Sequence, residues 1–157
     1  MNIEVQLKVQ DLLARYIQAI DDNQLEAWPD FFTEQCRYLV TTAENIEQGL
    51  PLGLIYATSR AMLRDRVRSL REANVYEAQR YRHVIGPPLI AAGEGPDVRA
   101  RTNFIVVRIM HTGETLIFAS GYYDDRIPLE GQDGARFAEK VVVLDSRQID
   151  TLLAIPI

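Results

Sequence analysis

The sequence predicts an α+β fold in which helices come first and a mostly antiparallel sheet follows, all in one domain covering residues 1–157. Two observations lead to this prediction. Apolar residues recur every three or four positions in the first half of the chain, as on the buried face of an amphipathic helix. After Glu77 the period changes to two, which is typical of strands with one buried face. Helices followed by hairpin-linked strands form the pattern of an α+β protein.

Three helices are predicted in the first half. The first covers Ile3 to Ile20, and its apolar stripe consists of Val5, Val9, Leu12, Leu13, Tyr16, Ile17 and Ile20. Asp22 or Asn23 is expected to cap a second, short helix. One face of that helix holds Leu25, Trp28, Phe31 and Phe32. Ser59 is the expected cap of the third helix. Its core-facing residues are Leu63, Val67 and Leu70.

The third helix also carries a row of arginines on its outer face. Steps of four, four and three residues separate Arg60, Arg64, Arg68 and Arg71. Residues at these spacings are neighbours on a helix surface, so the four side chains form one basic stripe. The stripe is either a solvated helix face or a docking surface for acidic groups on a neighbouring subunit.

Strands are predicted in the remaining segments. Two short ones lie between the helices, at Cys36–Thr41 and Leu54–Thr58, and "ENIEQGLPLG" between them is expected to be a polar connection. The later ones are Arg80–Ala91, Val98–Met110, Thr115–Ile127, Phe137–Asp145 and Leu152–Ile157. The turn signals "HTGE" (111–114) and "EGQDG" (130–134) predict hairpins. Pairing should break or bulge at Pro87 and Pro88, because proline has no N–H to donate.

Composition excludes several classes of function. A formal net charge of −5 and a pI of about 5.1 disfavour a surface for polyanions. No apolar run approaches the ~20 residues that span a bilayer. The N-terminal segment lacks the features of a secretory signal, and the single cysteine, Cys36, cannot form an internal disulfide. The sequence therefore predicts a cytoplasmic protein that binds neither nucleic acid nor a membrane.

Catalytic and metal-binding motifs are scarce. Zinc and iron–sulfur sites use several Cys and His ligands, and the chain has one Cys and two His. A non-haem iron site would need both His83 and His111, which the strand pattern places apart, mid-strand and at a hairpin tip. No nucleophile motif and no Gly-rich phosphate loop occurs. We therefore expect no metal or cofactor site in this chain.

The segment "QRYRHVIGPP" leaves one catalytic possibility open. Strand alternation places Tyr81, His83 and Ile85 on one face and Arg80, Arg82 and Val84 on the other. In an apolar cup, His83 could act as an acid or base, assisted by Asp21, Asp30, Tyr38 or Tyr81. An enzyme, or a binder of small molecules, needs that cup to be open. A cup filled by the chain's own side chains would make His83 a packing residue.

Alternation also divides the segment "GYYDDR". It separates Tyr122 and Asp124 from Tyr123 and Asp125, so one pair should face solvent or a partner. The candidate subunit interface therefore includes Tyr122, Tyr123 and Arg82 in addition to the basic stripe.

Five segments occur along the chain in the order found in a known family: "AIDDNQLEAWPDFF", "CRYLV", "SRAMLRDRVRSL", "RYRHVIG" and "LDSRQIDTLLAIPI". The most specific parts are Arg60 to Leu63 with Arg66 and Leu70, and the pair Arg82-His83. Together these segments cover nearly the whole chain. The sequence resembles the small (beta) subunit of the aromatic-ring-hydroxylating dioxygenases.

The resemblance implies a cone-like fold of the nuclear-transport-factor-2/cystatin-like kind, with about three helices on a curved, mixed sheet. It also implies an assembly of three large and three small subunits, in which this chain is structural and His83 packs. The Rieske [2Fe-2S] cluster and the mononuclear Fe(II) then belong to the large subunit, and a reductase supplies electrons from NADH or NADPH. The reaction implied is cis-dihydroxylation by O2 of an aromatic carboxylate, with terephthalate favoured by overall similarity. The alternative is a stand-alone, cofactor-free dehydratase or isomerase of the same fold that uses His83, Asp30 and Tyr81.

Overall fold

The computed structural model describes residues 2–50, 53–73, 78–129, 134–146 and 155–157. Helix α1 covers Ile3–Asp21, α2 Ala43–Glu47 and α3 Arg60–Ala73, and a 3₁₀ helix covers Leu25–Phe31. The strands β1 to β7 cover Phe32–Thr42, Ile55–Ser59, Gln79–Ile85, Leu89–Ala92, Asp97–Met110, Thr115–Pro128 and Phe137–Leu144. The α+β prediction is confirmed.

The described strands form one mixed sheet. The strand order is β2-β1-β7-β6-β5-β3. Strand β4 also pairs with β5, along the part of β5 that precedes the residues paired with β3. Strands β1 and β7 are parallel, and the other pairs are antiparallel. The main core lies between the inner sheet face and the helices α1, α3 and 3₁₀. A smaller apolar cluster of Leu39, Val141 and Val143 lies on the outer face.

Helix α1 forms as its pattern predicts, but the caps at its end differ. Asn2 begins the helix by accepting a hydrogen bond from the Glu4 N–H (2.9 Å). Asp22 ends α1, because its own N–H donates to carbonyls of that helix, and Asn23 follows in the left-handed region (φ 59°). The prediction that Asp22 or Asn23 caps the next helix is therefore wrong. The 3₁₀ helix begins after Gln24 without a side-chain cap.

The start of α3 is as predicted. The Ser59 Oγ accepts a hydrogen bond from the Met62 N–H (3.2 Å), which satisfies one of the free donors in the first turn. Leu63 and Val67 are buried, and Leu70 is partly buried against the same core.

Three strand predictions need correction. The predicted strand Arg80–Ala91 is two strands, β3 and β4, and the break falls at Gly86 to Pro88, where the prolines predicted it. β1 begins at Phe32 instead of Cys36, with an irregular register that periodicity does not reveal. Of the predicted strand Leu152–Ile157, residues 152–154 lie outside the described residues. The last three residues form no strand, and Ile155 and Ile157 are buried in the core.

Two connecting segments are described at least in part. The "ENIEQGLPLG" segment connects β1 and β2, as predicted, but its first four residues belong to the helix α2, whose first turn is capped by Thr42 Oγ1 accepting from Asn45 N–H (3.2 Å). Five residues are too few to show a helical period. The "HTGE" hairpin is confirmed: Met110 N–H donates to Glu114 O (2.9 Å), and Gly113 supplies a φ of +90°. Residues 130–133 of "EGQDG" lie outside the described residues.

Candidate functional site

His83 is held by a carboxylate from the end of helix α1. The Nδ1 atom of His83 lies 2.6 Å from Oδ1 of Asp21, and the backbone N–H of His83 donates to Oδ2 of the same residue (2.9 Å). The two side chains are 0% and 1% exposed. Since a carboxylate only accepts hydrogen bonds, Nδ1 carries the proton. Asp21 therefore fastens the end of α1 to the edge strand β3.

The other residues suggested for acid–base chemistry do not join this pair. Asp30 lies on the surface of the 3₁₀ helix, 3.5 Å from Arg64, so the combination of His83 with Asp30 is wrong. Tyr81 shares the inner face with His83 as predicted, but its ring stacks on Phe118 at 5.3 Å. The Nε2 atom of His83 is buried and finds no hydrogen-bond partner among the described residues. The described geometry therefore supplies no proton path from Nε2.

A cluster of aromatic side chains fills the space between α1 and the sheet. Tyr16 and Trp28 from the helices meet Tyr38, Tyr123 and Phe137 from the sheet, and all five are fully buried. Tyr16 lies edge-on to Phe137 (5.3 Å) and Trp28 edge-on to Tyr38 (5.2 Å). Edge-to-face contacts of this kind stabilise a core beyond the area they bury.

Two of the three tyrosine hydroxyls in this cluster, those of Tyr16 and Tyr38, are hydrogen-bonded to Ile157. Tyr16 and Tyr38 both donate to the carbonyl oxygen of Ile157 (2.9 and 3.0 Å), and the Trp28 indole N–H donates to the Tyr16 oxygen (3.1 Å). Burial raises the pKa of Tyr38 to about 12 and the pKa of Tyr16 well above its ordinary value. Both phenols are therefore neutral donors at neutral pH.

A buried ion pair lies in the same interior, and sequence reasoning did not predict it. The Lys140 Nζ is 3.0 Å from Oδ1 and 3.1 Å from Oδ2 of Asp125, and both side chains are 0% exposed. The ammonium also lies over the rings of Tyr123 (3.8 Å) and Phe137 (4.1 Å). Burial raises the pKa of Asp125 to about 6 against the attraction of Lys140, and it lowers the pKa of Lys140. The strand period could have indicated that Lys140 is buried, because the residues beside it on β1 and β6 face the core.

The space between α1 and the sheet is thus filled by the chain's own side chains and is not an open pocket. A cleft of about 720 Å³ does lie next to the pair of His83 and Asp21, between the end of α1 and β3. Its lining includes Asp21, Asn23, Arg80 and Arg82 but not His83. A stand-alone enzyme that uses His83 therefore has no support from this geometry.

His83→Ala is expected to lower the free energy of unfolding by about 2–3 kcal/mol, because it removes buried contacts and leaves a buried carboxylate without its partner. We expect the activity of any complex that contains the chain to stay within about twofold of wild type if His83 only packs. Chemical denaturation and steady-state assays measure the two effects. A tenfold loss of turnover in an intact assembly would contradict the packing role.

The arginines of the basic stripe on α3 have partners within the chain, but only some of these partners are acidic. Arg71 is bound by Glu26 (2.8 Å), Arg64 lies 3.5 Å from Asp30, and Arg60 donates to the backbone oxygen of Phe32 (2.6 Å). The shallow groove beside it, about 450 Å³, has acids as well as arginines in its lining. The arginines therefore hold the 3₁₀ helix against α3, which sequence spacing did not reveal.

The two tyrosines of "GYYDDR" point to opposite sides, as alternation predicts. Tyr123 and Asp125 are fully buried, whereas Tyr122 and Asp124 lie on the outer face and are partly exposed. Tyr123 is therefore wrong as an interface candidate, because its side chain belongs to the core. On the outer face, the Arg101 guanidinium stacks on the Tyr122 ring at 3.8 Å.

Within the described ranges, no three His, Cys, Asp or Glu side chains come together as a metal site would require. The described residues thus do not fit a Rieske cluster or a mononuclear iron. None of the described helices combines the length and the apolar composition that crossing a membrane requires.

Comparison with known proteins gives consistent matches. Residues 15–151 match the family model described as "Ring hydroxylating beta subunit". A relative from Comamonas sp, the terephthalate 1,2-dioxygenase terminal oxygenase component subunit beta 2, is 47% identical over 145 residues, which is 92% of this chain and 93% of the relative.

Two solved structures from Novosphingobium aromaticivorans agree with the fold. One is described as the beta subunit of an aromatic-ring-hydroxylating dioxygenase. It has a TM-score of 0.89 and 38% identity and covers 98% of this chain and 97% of its own. The other, an NTF2-like protein with a cystatin-like fold, has a TM-score of 0.67 and 20% identity over 98% of this chain and 87% of its own. The predicted NTF2/cystatin-like fold is confirmed.

Proposed function

Because the chain belongs to the family of ring-hydroxylating dioxygenase beta subunits, we propose that it is the structural subunit of an oxygenase acting on an aromatic carboxylate. Terephthalate is the substrate we favour, because the Comamonas relative that is 47% identical belongs to a terephthalate 1,2-dioxygenase. The observation that carries the structural role is the filled interior, in which Asp21 holds His83 through Nδ1 and the backbone N–H, and aromatic side chains occupy the space between α1 and the sheet.

The redox centres in this proposal belong to the large subunit. A Rieske cluster and a mononuclear iron would be held there, and a reductase would deliver electrons from NADH or NADPH. An assembly of three large and three small subunits in the cytoplasm completes the proposal. The buried free thiol of Cys36 is compatible with a reducing compartment.

The test is affinity capture of the tagged chain from its native cells, followed by native mass spectrometry, an absorbance spectrum and an oxygenation assay. We expect a larger, red-brown iron–sulfur chain in equal stoichiometry, and NAD(P)H-dependent conversion of terephthalate to a cis-dihydrodiol once reductase is added. A colourless homo-oligomer without a partner would overturn the subunit role. A coloured complex that oxidises other aromatic acids but not terephthalate would overturn only the substrate.

A further inference from the structure

The outer face of the sheet carries an exposed apolar patch near its β3 edge. Val84 on β3 lies opposite Ile105 on β5, and Val107 on β5 lies opposite Ile117 on β6. Val84 is 58% exposed and Ile117 68% exposed. These four side chains face away from α1, because Tyr81, His83, Phe104 and Val106 occupy the inward positions. We call the four residues the sheet-edge patch.

Arginines border this patch. Arg82 lies opposite Val107, and Arg80 precedes it on the same face of β3. Both are exposed, and neither has an acidic partner among the residues that the structure describes. On the other side, Arg101 is opposite the exposed Leu89 and is bound to the Tyr122 ring. The border is thus positive along β3, whereas Arg101 lies opposite Asp124 on β6.

The arginines of the basic stripe and those beside the sheet-edge patch differ in whether acidic groups of the same chain already pair with them. Stripe arginines such as Arg71 already contact carboxylates of the same chain. Arg80 and Arg82 keep their charge available, next to apolar side chains that gain free energy when a partner covers them. A surface that combines an apolar centre with a charged border is typical of a specific protein interface.

Charge disfavours a two-fold contact between copies of this chain. A two-fold contact between two copies of this chain through the patch would bring the arginines of both copies together, and like charges across an interface oppose association. A surface of another protein with an apolar centre and a border of carboxylates would cover the apolar residues of the patch and pair with its arginines.

We propose that the sheet-edge patch, with Arg80 and Arg82, is the surface on which the large oxygenase subunit docks. The proposal rests on the proposed function, since it assumes that a large subunit exists. It replaces the basic stripe as the main interface and retains Arg82 from the sequence-based candidates.

Competition for the large subunit tests this proposal. Wild-type and variant small chains are co-expressed with a tagged large subunit, and mass spectrometry compares their ratio in the captured complex with their ratio in the soluble extract. The patch variants are Ile117→Gln and Arg82→Glu. The matched controls are Leu7→Gln, at an apolar site that is 59% exposed on α1, and Arg68→Glu in the basic stripe. The Tm of each isolated variant should stay within about 3 °C of wild type.

We expect the wild type to displace each patch variant by at least about tenfold, and both controls to be incorporated within about twofold of the wild type. Equal incorporation of all four variants would overturn the patch and leave the proposed function intact. Self-association lost in the patch variants with unchanged capture would also overturn it, by assigning the patch to a second copy. Failure to capture the wild-type chain would instead contradict the proposed function, because a subunit must bind the large subunit.

Discussion

Replacement of Lys140 by Met is expected to lower the free energy of unfolding by about 3–5 kcal/mol. Met fills a similar volume among the same rings, but it leaves the Asp125 carboxylate fully buried without a counter-ion. The cost therefore comes from the stranded charge rather than from lost packing. Urea unfolding followed by far-UV circular dichroism measures the difference.

The double variant Asp125→Val with Lys140→Met separates charge from packing. Because it removes both charges, we expect it to recover most of the loss, and its stability should lie within about 1–2 kcal/mol of wild type. Lys8→Met is the matched control, since Lys8 forms an ion pair with Glu4 at the surface, and it should cost less than about 0.5 kcal/mol. A double variant as unstable as Lys140→Met would show that the packing of the lysine stem, not its charge, stabilises the core.

Gly121→Ala is expected to destabilise the chain by about 3 kcal/mol or more, through overpacking between two central strands. Gly121 on β6 lies opposite Leu144 on β7, and an added Cβ would overlap the backbone carbonyl oxygen of Val143. A backbone atom of a paired strand cannot move aside as a flexible side chain can. The single methyl group must therefore push β6 and β7 apart or break their pairing.

Gly86→Ala is the control for this effect. An added Cβ there would meet only the carbonyl oxygen of Asn103, at 4.0 Å, which is an ordinary contact distance. We expect a change within about 0.5 kcal/mol. Thermal unfolding of both variants, with hydrogen exchange of the β6 and β7 amides, tests the pair. Normal protection of these amides in Gly121→Ala would show that the strands tolerate the methyl group.

Hydrophobic periodicity in the sequence predicted most helices and strands, but it predicted the residues at which they begin and end less accurately. Periodicity placed α1, α3 and the long strands, because burial of one face repeats at the period of the element. It missed α2, which is too short to have a period, and the irregular start of β1, which depends on pairing with β7. Gly86, Pro87 and Pro88 marked the break between β3 and β4, since a missing N–H acts locally whatever the fold.

The sequence by itself determined the fold class, the family and the side of each strand on which a residue lies. Alternation separated Tyr122 from Tyr123, and the residue inventory already disfavoured a metal site. Only the tertiary structure decided which side is the core and which distant groups meet. Asp21 and His83 are 62 residues apart along the chain, and Lys140 meets Asp125 because β7 lies beside β6. Such contacts depend on strand order and register, so charge and spacing along the chain could not distinguish a buried pair from a solvated one.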